Sequence, residues 1–261
     1  MWRRALDDRL TRGGPSAVVP GGSWWNINAG TDSRQWFSVQ TDISSSLSDG
    51  GSSRKASLSF TIKPSPMVTV STGPAWERSQ IVAQYVTTVS DAIARSTHGE
   101  RYVFGALDQT QLSMTTRLNV ILTPTVSVQV FAQPLLAGGD YEDFKELARP
   151  RTFDFLQYDR MGRSLELDAV SNTYAVDPDG SAGEAPTFSF DNPDFNLKSL
   201  RLNTVFRWEI KPGSTFYAVW TRQQEDTRDP GRFVLGRDAR RLFSAPGDDV
   251  FLVKIAYWIG R

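Results

Sequence analysis

The chain carries one histidine, His98, in Ser96-Thr97-His98-Gly99-Glu100, and no cysteine. Disulfides, thiolate metal sites and a cysteine nucleophile are therefore excluded. A serine nucleophile would need a base beside it on a sharp strand–turn–helix elbow, and no G-x-S-x-G occurs. The spacing around His98 reads as a solvated turn. Carboxylates are plentiful: Asp140, Glu142, Asp143 and Glu146, then Asp177 and Asp179, then Glu225, Asp226 and Asp229, then Asp248 and Asp249. Asp177-Pro178-Asp179-Gly180 has the opening of a calcium loop but lacks the spaced ligands and closing glutamate of an EF-hand, so turn chemistry is the expectation. Glycoside hydrolysis by paired carboxylates requires a defined separation across a cleft, which spacing in sequence does not supply. No catalytic residue, no metal ligand and no cofactor is expected.

The better-organised polar residues sit on strands. Arg117 and Asn119 alternate with Leu118, Val120 and Leu122, and Val126, Val128 and Val130 continue the apolar side. Arg201, Asn203, Arg207 and Glu209 alternate with Leu202, Phe206, Trp208 and Ile210, and Lys254 alternates with Phe251, Val253, Ile255, Tyr257 and Ile259. A period of two puts each set on one face of a strand. In a barrel standing in lipid, Arg117, Asn119, Arg201, Asn203, Arg207, Glu209 and Lys254 would line the lumen, as a selectivity region or as a cross-strand ion-pair network. Trp208, Trp220 and Tyr257 would join an aromatic girdle at the membrane interface; Trp258 has the opposite parity to Tyr257. A soluble β-sandwich also alternates, so alternation alone leaves both architectures open.

Three proline-bearing turns organise these strands: Lys63-Pro64-Ser65-Pro66, Thr123-Pro124 and Lys211-Pro212-Gly213. Each lies between two alternating segments. Segments 80–90 and 101–107 read as two further strands between the first and second hairpins, with a turn at Asp108-Gln109. All three proline turns then fall on the same side as the end of the last strand. Short turns on one side and long loops on the other are the pattern of outer-membrane barrels. About ten strands are expected, including 24–29 and 35–45, with a flexible loop at 49–53. Residues 1–22 read as a frayed lead-in and 23–261 as a β-barrel domain. Within it, 138–198 reads as a long loop or insertion, with a short helix at 141–148 and a hairpin near 165–174. Residues 223–248 read as a second polar loop.

Composition narrows the class. The 261 residues carry 29 basic and 29 acidic side chains, which gives no basic excess for nucleic-acid binding. No segment approaches the ~20 apolar residues of a membrane-spanning helix. Eight tryptophans and 11% aromatics suit interfacial belts, and are also compatible with ordinary sheets. Met1-Trp2-Arg3-Arg4-Ala5-Leu6-Asp7-Asp8 lacks the apolar core of a secretory signal, so the expectation is the C-terminal part of a longer exported protein. The last strand, Phe251 to Ile259, fits the type that barrel-insertion machinery reads, although Gly260-Arg261 follow it.

Several segments carry a resemblance. They include Gln84-Tyr85-Val86, Gly99-Glu100-Arg101-Tyr102-Val103-Phe104, Thr116-Arg117-Leu118-Asn119, Phe131-Ala132-Gln133-Pro134 and Tyr141-Glu142-Asp143-Phe144-Lys145-Glu146-Leu147. They continue with Asn192-Pro193-Asp194-Phe195-Asn196, Arg207-Trp208-Glu209, Lys211-Pro212-Gly213-Ser214 and Phe251-Leu252-Val253-Lys254-Ile255-Ala256-Tyr257-Trp258. In order and extent, over most of 20–259, the chain resembles the C-terminal region of the bacterial family called domain of unknown function 5916. The resemblance implies an N-terminal sandwich similar to carbohydrate-binding family nine, which this chain lacks, followed by a large outer-membrane barrel. It implies no catalytic residue.

The expectation is therefore an all-β, antiparallel up-and-down meander, forming an outer-membrane β-barrel or its C-terminal part. It would be non-enzymatic, serving as membrane anchor or passage for a cell-surface carbohydrate-binding-like protein of Gram-negative bacteria. Expected partners are outer-membrane lipid, barrel-insertion machinery and a glycan bound through the missing N-terminal domain, with no nucleic acid. The alternatives are a soluble β-sandwich binding module, and a glycan-processing enzyme with a carboxylate site in the long loops.

Overall fold

The computed structural model describes residues 1–259; Gly260 and Arg261 lie outside the described residues. Fifteen strands run along the chain: β1 (Ala5–Asp7), β2 (Ala17–Val19), β3 (Gly22–Gly30), β4 (Phe37–Ser48), β5 (Gly51–Ser65), β6 (Val68–Ser90), β7 (Glu100–Thr123), β8 (Val126–Leu147), β9 (Phe155–Gln157), β10 (Ser164–Asp168), β11 (Thr173–Asp177), β12 (Phe188–Asp191), β13 (Phe195–Lys211), β14 (Ser214–Asp226) and β15 (Gly247–Ala256). One α-helix, α1 (Leu235–Ser244), precedes β15. The main sheet orders its strands β15-β14-β13-β8-β7-β6-β5-β4-β3, with β9 added beside β8. Every pairing is antiparallel. The all-β meander is the expected one. No closed barrel forms among the described residues: β3 and β15 are the two ends of the sheet, and both run toward the proline turns.

The three proline turns are two-residue connections at Pro66-Met67, Pro124-Thr125 and Pro212-Gly213. The first lies one step later than the sequence suggests, because β5 continues through Ser65 across a register shift after Ile62. Gly213 takes φ +78°, the left-handed conformation open to glycine without steric cost. All three turns share one end of the sheet, as expected, although the strand count behind that expectation needs correction. Residues 80–90 and 101–107 are not separate strands. They are the far ends of β6 and β7, 23 and 24 residues long. Asp108 and Gln109 lie in mid-strand rather than in a turn. Removing two strands leaves the parity unchanged.

Other readings change more. The expected flexible loop at 49–53 is a two-residue turn at Asp49-Gly50. The expected helix at 141–148 is the upper end of β8, which bulges at Asp143 with φ +49°. Segment 138–198 is not a loop: β10, β11 and β12 form a separate three-stranded sheet within it. The hairpin expected near 165–174 is β10–β11. The loop at 223–248 contains α1. The lead-in at 1–22 is ordered, with β1 paired to β2 and with Ala17 and Val18 buried.

The core is confined to the end away from the proline turns. There β6, β7 and β8 extend past their neighbours and both of their faces are covered. On one face, Phe104, Tyr102, Ala83 and Leu147 pack under Ala17 and Leu10 of the N-terminal segment. On the other, Val103, Phe144 and Tyr158 pack under Val176 and Phe190 of the three-stranded sheet. The rest of the main sheet, here called the wall, has no second layer over it among the described residues. Leu118, Val120, Val128 and Phe206 are half-buried by strand neighbours alone, and Val253 and Ile255 are exposed. The burial between two sheets that a sandwich requires is not found there.

Two prolines interrupt central strands, Pro74 in β6 and Pro134 in β8. Proline donates no ladder hydrogen bond, and the β5–β6 ladder skips the stretch facing Gly73 and Pro74. A Cβ on Gly73 would lie 2.1 Å from the Leu58 carbonyl oxygen. Gly73→Val is therefore expected to destabilise the wall by about 1–3 kcal/mol through overpacking. A denaturation midpoint equal to that of the parent protein would contradict this.

Candidate functional site

Register assigns every wall residue to a face, because directly paired residues in an antiparallel ladder share one. Arg117 pairs Phe131, which pairs Asn203; Arg207 pairs Tyr217, which pairs Lys254. Asn119 pairs Gln129, and Arg201 pairs Gln133 and Gln223. Glu209 is two residues beyond Arg207. The seven polar residues Arg117, Asn119, Arg201, Asn203, Arg207, Glu209 and Lys254 thus stand on one face of the wall. The same face carries Ser38, Gln40 and Asp42 of β4, Ser57, Ser59 and Thr61 of β5, and Gln109, Gln111, Ser113 and Thr115 of β7. The opposite face carries Phe37, Leu58, Ile62, Val70, Leu118, Val130, Trp220 and Phe251.

The polar face is not one continuous ion-pair network. Arg207 pairs Glu209 at 3.0 Å and Lys55 pairs Glu77 at 3.1 Å. The Arg117 guanidinium lies over the Phe131 ring at 5.3 Å. Arg201 and Lys254 are exposed and make no salt bridge among the described residues. Around Arg201 the face forms a groove of about 530 Å³, lined by Gln111, Gln133, Gln223, Glu225 and Asp248. Gln133 Nε2 donates to Thr115 Oγ1 at 3.4 Å. Arg201, Gln223 and Asp248 are consecutive in one cross-strand row, so a cation and a carboxylate stand two strand spacings apart, about 10 Å, with an amide between them. This surface can hydrogen-bond polar solutes by donors and acceptors alike. In sequence Gln111 follows a pair of turn composition at 108–109 and Gln223 opens the segment read as a polar loop, so neither shows there as a strand-face residue. An unbroken β7 carries the polar alternation of Gln109, Gln111, Ser113 and Thr115 directly into Arg117.

The aromatic candidates occupy two levels of the apolar face. Trp208 lies beside the Pro212 turn. The Tyr257 hydroxyl lies 2.6 Å from Lys211 Nζ, at the same end. Trp220 lies further up β14. Its indole stacks on Phe251 with centroids 6.2 Å apart, and Trp220 Nε1 donates to Asp249 Oδ1 at 2.8 Å. Arg222 closes this level with an ion pair to Asp249 at 2.9 Å. Apolar ring bodies with satisfied polar tips suit a boundary between oil and water.

Above the wall two charged groups mark the ordered end. A cleft of about 770 Å³ holds Asp108, bound by Arg78 at 2.6 Å, and Asp140, bound by Arg232 at 3.3 Å. The hydrogen bond from Arg78 holds the Asp108 carboxyl below the usual range. Arg101, buried between the layers, binds Asp91 at 2.6 Å and Glu146 at 2.7 Å, and the Tyr158 hydroxyl donates to Glu146 at 3.3 Å. Asp177 and Asp179 accept the amides of Gly180 and Ala185, which is turn chemistry as expected. Glu146 is thus separated from Asp140 and Glu142, which line the cleft. His98 is an exposed turn residue with φ +61°. No group of three or more metal-ligating side chains with suitable geometry occurs among the described residues.

Burial pushes the Asp91 carboxyl up, but the Ile93 amide and Arg101 outweigh it and hold it below its ordinary value. A folded-state value below the unfolded one means a stabilising contribution that is complete above the unfolded carboxylate value, ~3.9. It is lost as pH falls through the lower folded value. Arg101→Met leaves two buried carboxylates unpaired and is expected to cost about 3–5 kcal/mol at neutral pH. The deficit shrinks as acid protonates Asp91; denaturation curves at pH 7 and at about pH 3 give the comparison, and a pH-independent deficit would refute the ionic account.

Residues 14–260 match the family model described as Domain of unknown function (DUF5916), and the chain belongs to that family. Neither a curated protein nor a solved structure matches it significantly.

Proposed function

We propose that this member of the family forms part of an outer-membrane β-barrel wall, non-enzymatic, acting as membrane anchor or passage for a cell-surface protein. The observation that carries this reading is the pair of opposed faces. From β3 to β14 most polar side chains gather on one face and most apolar side chains on the other, with Trp24, Phe131, Val205 and Val219 as exceptions, whereas β15 adds Val250 and Leu252 to the face of Lys254. Along the wall neither face is covered among the described residues. In water the apolar face would be an exposed patch far larger than soluble proteins tolerate. In lipid it is the outer surface of a barrel, and the Arg117–Arg207 face becomes the lumen lining. Along β7 the apolar series runs from Leu112 to Leu122. Ten steps of ~3.4 Å at ~40° tilt span about 25 Å, the height of a barrel's apolar band. Trp208 and Tyr257 mark one boundary; Trp220, four residues above Phe216 of the Trp208 row and in the cross-strand row of Leu118, lies within the band. The polar face of such a wall, with its amides and hydroxyls, suits hydrophilic solutes such as glycans or peptides.

The protein is expected to require detergent or vesicles to stay monodisperse, and to fold into vesicles with its proline-turn strands shielded from protease. Recovery as a soluble monomer without detergent would overturn the reading. The two faces are also expected to respond oppositely to charge. Val128→Arg should cost about 2–4 kcal/mol in unfolding from vesicles, while its neighbour Gln129→Arg, on the lumen side, should be near neutral. Equal costs would count against a lipid-facing surface.

A further inference from the structure

We infer that α1 is an interfacial helix that binds the anionic headgroups of membrane lipids beside the wall. This rests on the membrane reading above. α1 sits on the apolar-face side of the sheet. It packs there through Leu242 and Asp238, both buried. Asp238 accepts from Asn196 Nδ2 at 3.3 Å and from the Val234 amide at 2.7 Å. Asn196 pairs Gly138, against which Gly231 and Phe233 pack, just above Leu136 and Pro134. At the other end of the helix, Gln224 Nε2 donates to the Ala245 carbonyl at 2.7 Å. Gln224 is four residues above Trp220 on β14, about 13 Å. Gln224 is also eight residues above Phe216 of the Trp208 row, about 20 Å in height at ~40° tilt, so the helix lies near the upper edge of the apolar band, where headgroups would stand.

Its outward surface has the composition such a location needs. Phe243 is 69% exposed and Leu235 52% exposed, although nothing in the fold requires either outside. On another side of the helix Arg237, Arg240, Arg241 and Ser244 line an open groove of about 520 Å³. Arg237 binds Asp238 and Arg241 binds Asp229, whereas Arg240 is exposed and forms no salt bridge among the described residues. Leu235 and Phe243 flank the buried side of α1 and the three arginines fall on its other side; basic residues on one face and Phe and Leu on the other are the pattern of helices that lie in the membrane interface. Guanidinium groups also match phosphate oxygens bidentately. The apolar residues continue the lipid-facing band below, and the arginines complement the charge above it.

The chain has no cysteine, and a Cβ at Gly236 meets nothing within 4 Å, so Gly236→Cys provides one fluorophore site on this face. The full chain is folded into phosphatidylcholine vesicles containing a trace of headgroup-labelled phosphatidylglycerol or headgroup-labelled phosphatidylcholine. Energy transfer is expected to favour phosphatidylglycerol, and Arg240→Gln should lower that preference by about two- to five-fold. Arg237→Gln/Arg240→Gln/Arg241→Gln should abolish it, and a folded single variant keeps the test valid where the triple variant fails to fold. Equal transfer from both lipids overturns the headgroup site and leaves the membrane reading standing. A preference abolished by inorganic phosphate identifies a soluble-anion site and overturns it too. Shielding from both lipids in an inserted protein means that another protein covers the helix, and overturns it. Failure of the parent chain to insert overturns the membrane reading and this inference together.

Discussion

Register between β7 and its neighbours is the constraint on which the rest of the structure depends. Arg117 opposite Phe131 and Ser71, and Leu118 opposite Val130 and Val70, place one polar and one apolar row side by side. A slip of one residue would carry each row to the wrong face. The pattern repeats in its main lines from β3 to β14, so a slip at one seam would put the rows of the two flanking blocks out of step. Short two-residue turns fix that register locally, since they leave no slack at Pro66-Met67, Pro124-Thr125 and Pro212-Gly213. The cost of such a design is that neither face of the wall is covered among the described residues.

Above the wall the same long strands obey a different rule. β6, β7 and β8 leave their neighbours behind, and both of their faces acquire covers built from the N-terminal hairpin and from β10–β12. Alternation between polar and apolar residues gives way there to Tyr102-Val103-Phe104, three consecutive buried residues. Arg101 sits beyond them, at the start of β7 and the far end from the proline turns. It is buried, yet two carboxylates and their hydrogen bonds compensate its charge, which ties the 91–99 loop to β8. Lys198 and Asp226 make a comparable buried pair where α1 meets β13 and β14. Burial pushes Asp226 up, but hydrogen bonds from Arg228 and Lys198 prevail and hold it at about 2. Its contribution is complete above the ordinary carboxylate range and is lost as pH falls through that value.

What could be read from the amino-acid sequence was what has a short period. The hairpins at 124 and 212 and the two faces of β13 follow from alternation and from proline, both local signals. Strand length did not follow, because Asp108-Gln109 has turn composition yet lies in the middle of a 24-residue strand. Tertiary pairing with Gln80 and Asp140 overrides that local preference. Tyr141 to Leu147 has helical composition, and its bulge at Asp143 arises only from pairing with β7. The polar groove draws on five strands, so Gln133 and Gln223 gain meaning only once register sets them in a row with Arg201, and Gln111 once an unbroken β7 brings it to the same face four residues above that row.

The direction of the two outermost strands has a topological consequence. Nine strands lie between the free edges, and an odd number leaves β3 and β15 pointing the same way. Joined to each other, they would make a parallel seam in an otherwise antiparallel cylinder. The same holds for a second copy brought alongside by rotation about the cylinder axis, since β15 of one would again meet β3 of the other head to head. An unbroken antiparallel circumference is reached only when an odd number of further strands fills the gap. Its complete strand count would then be even.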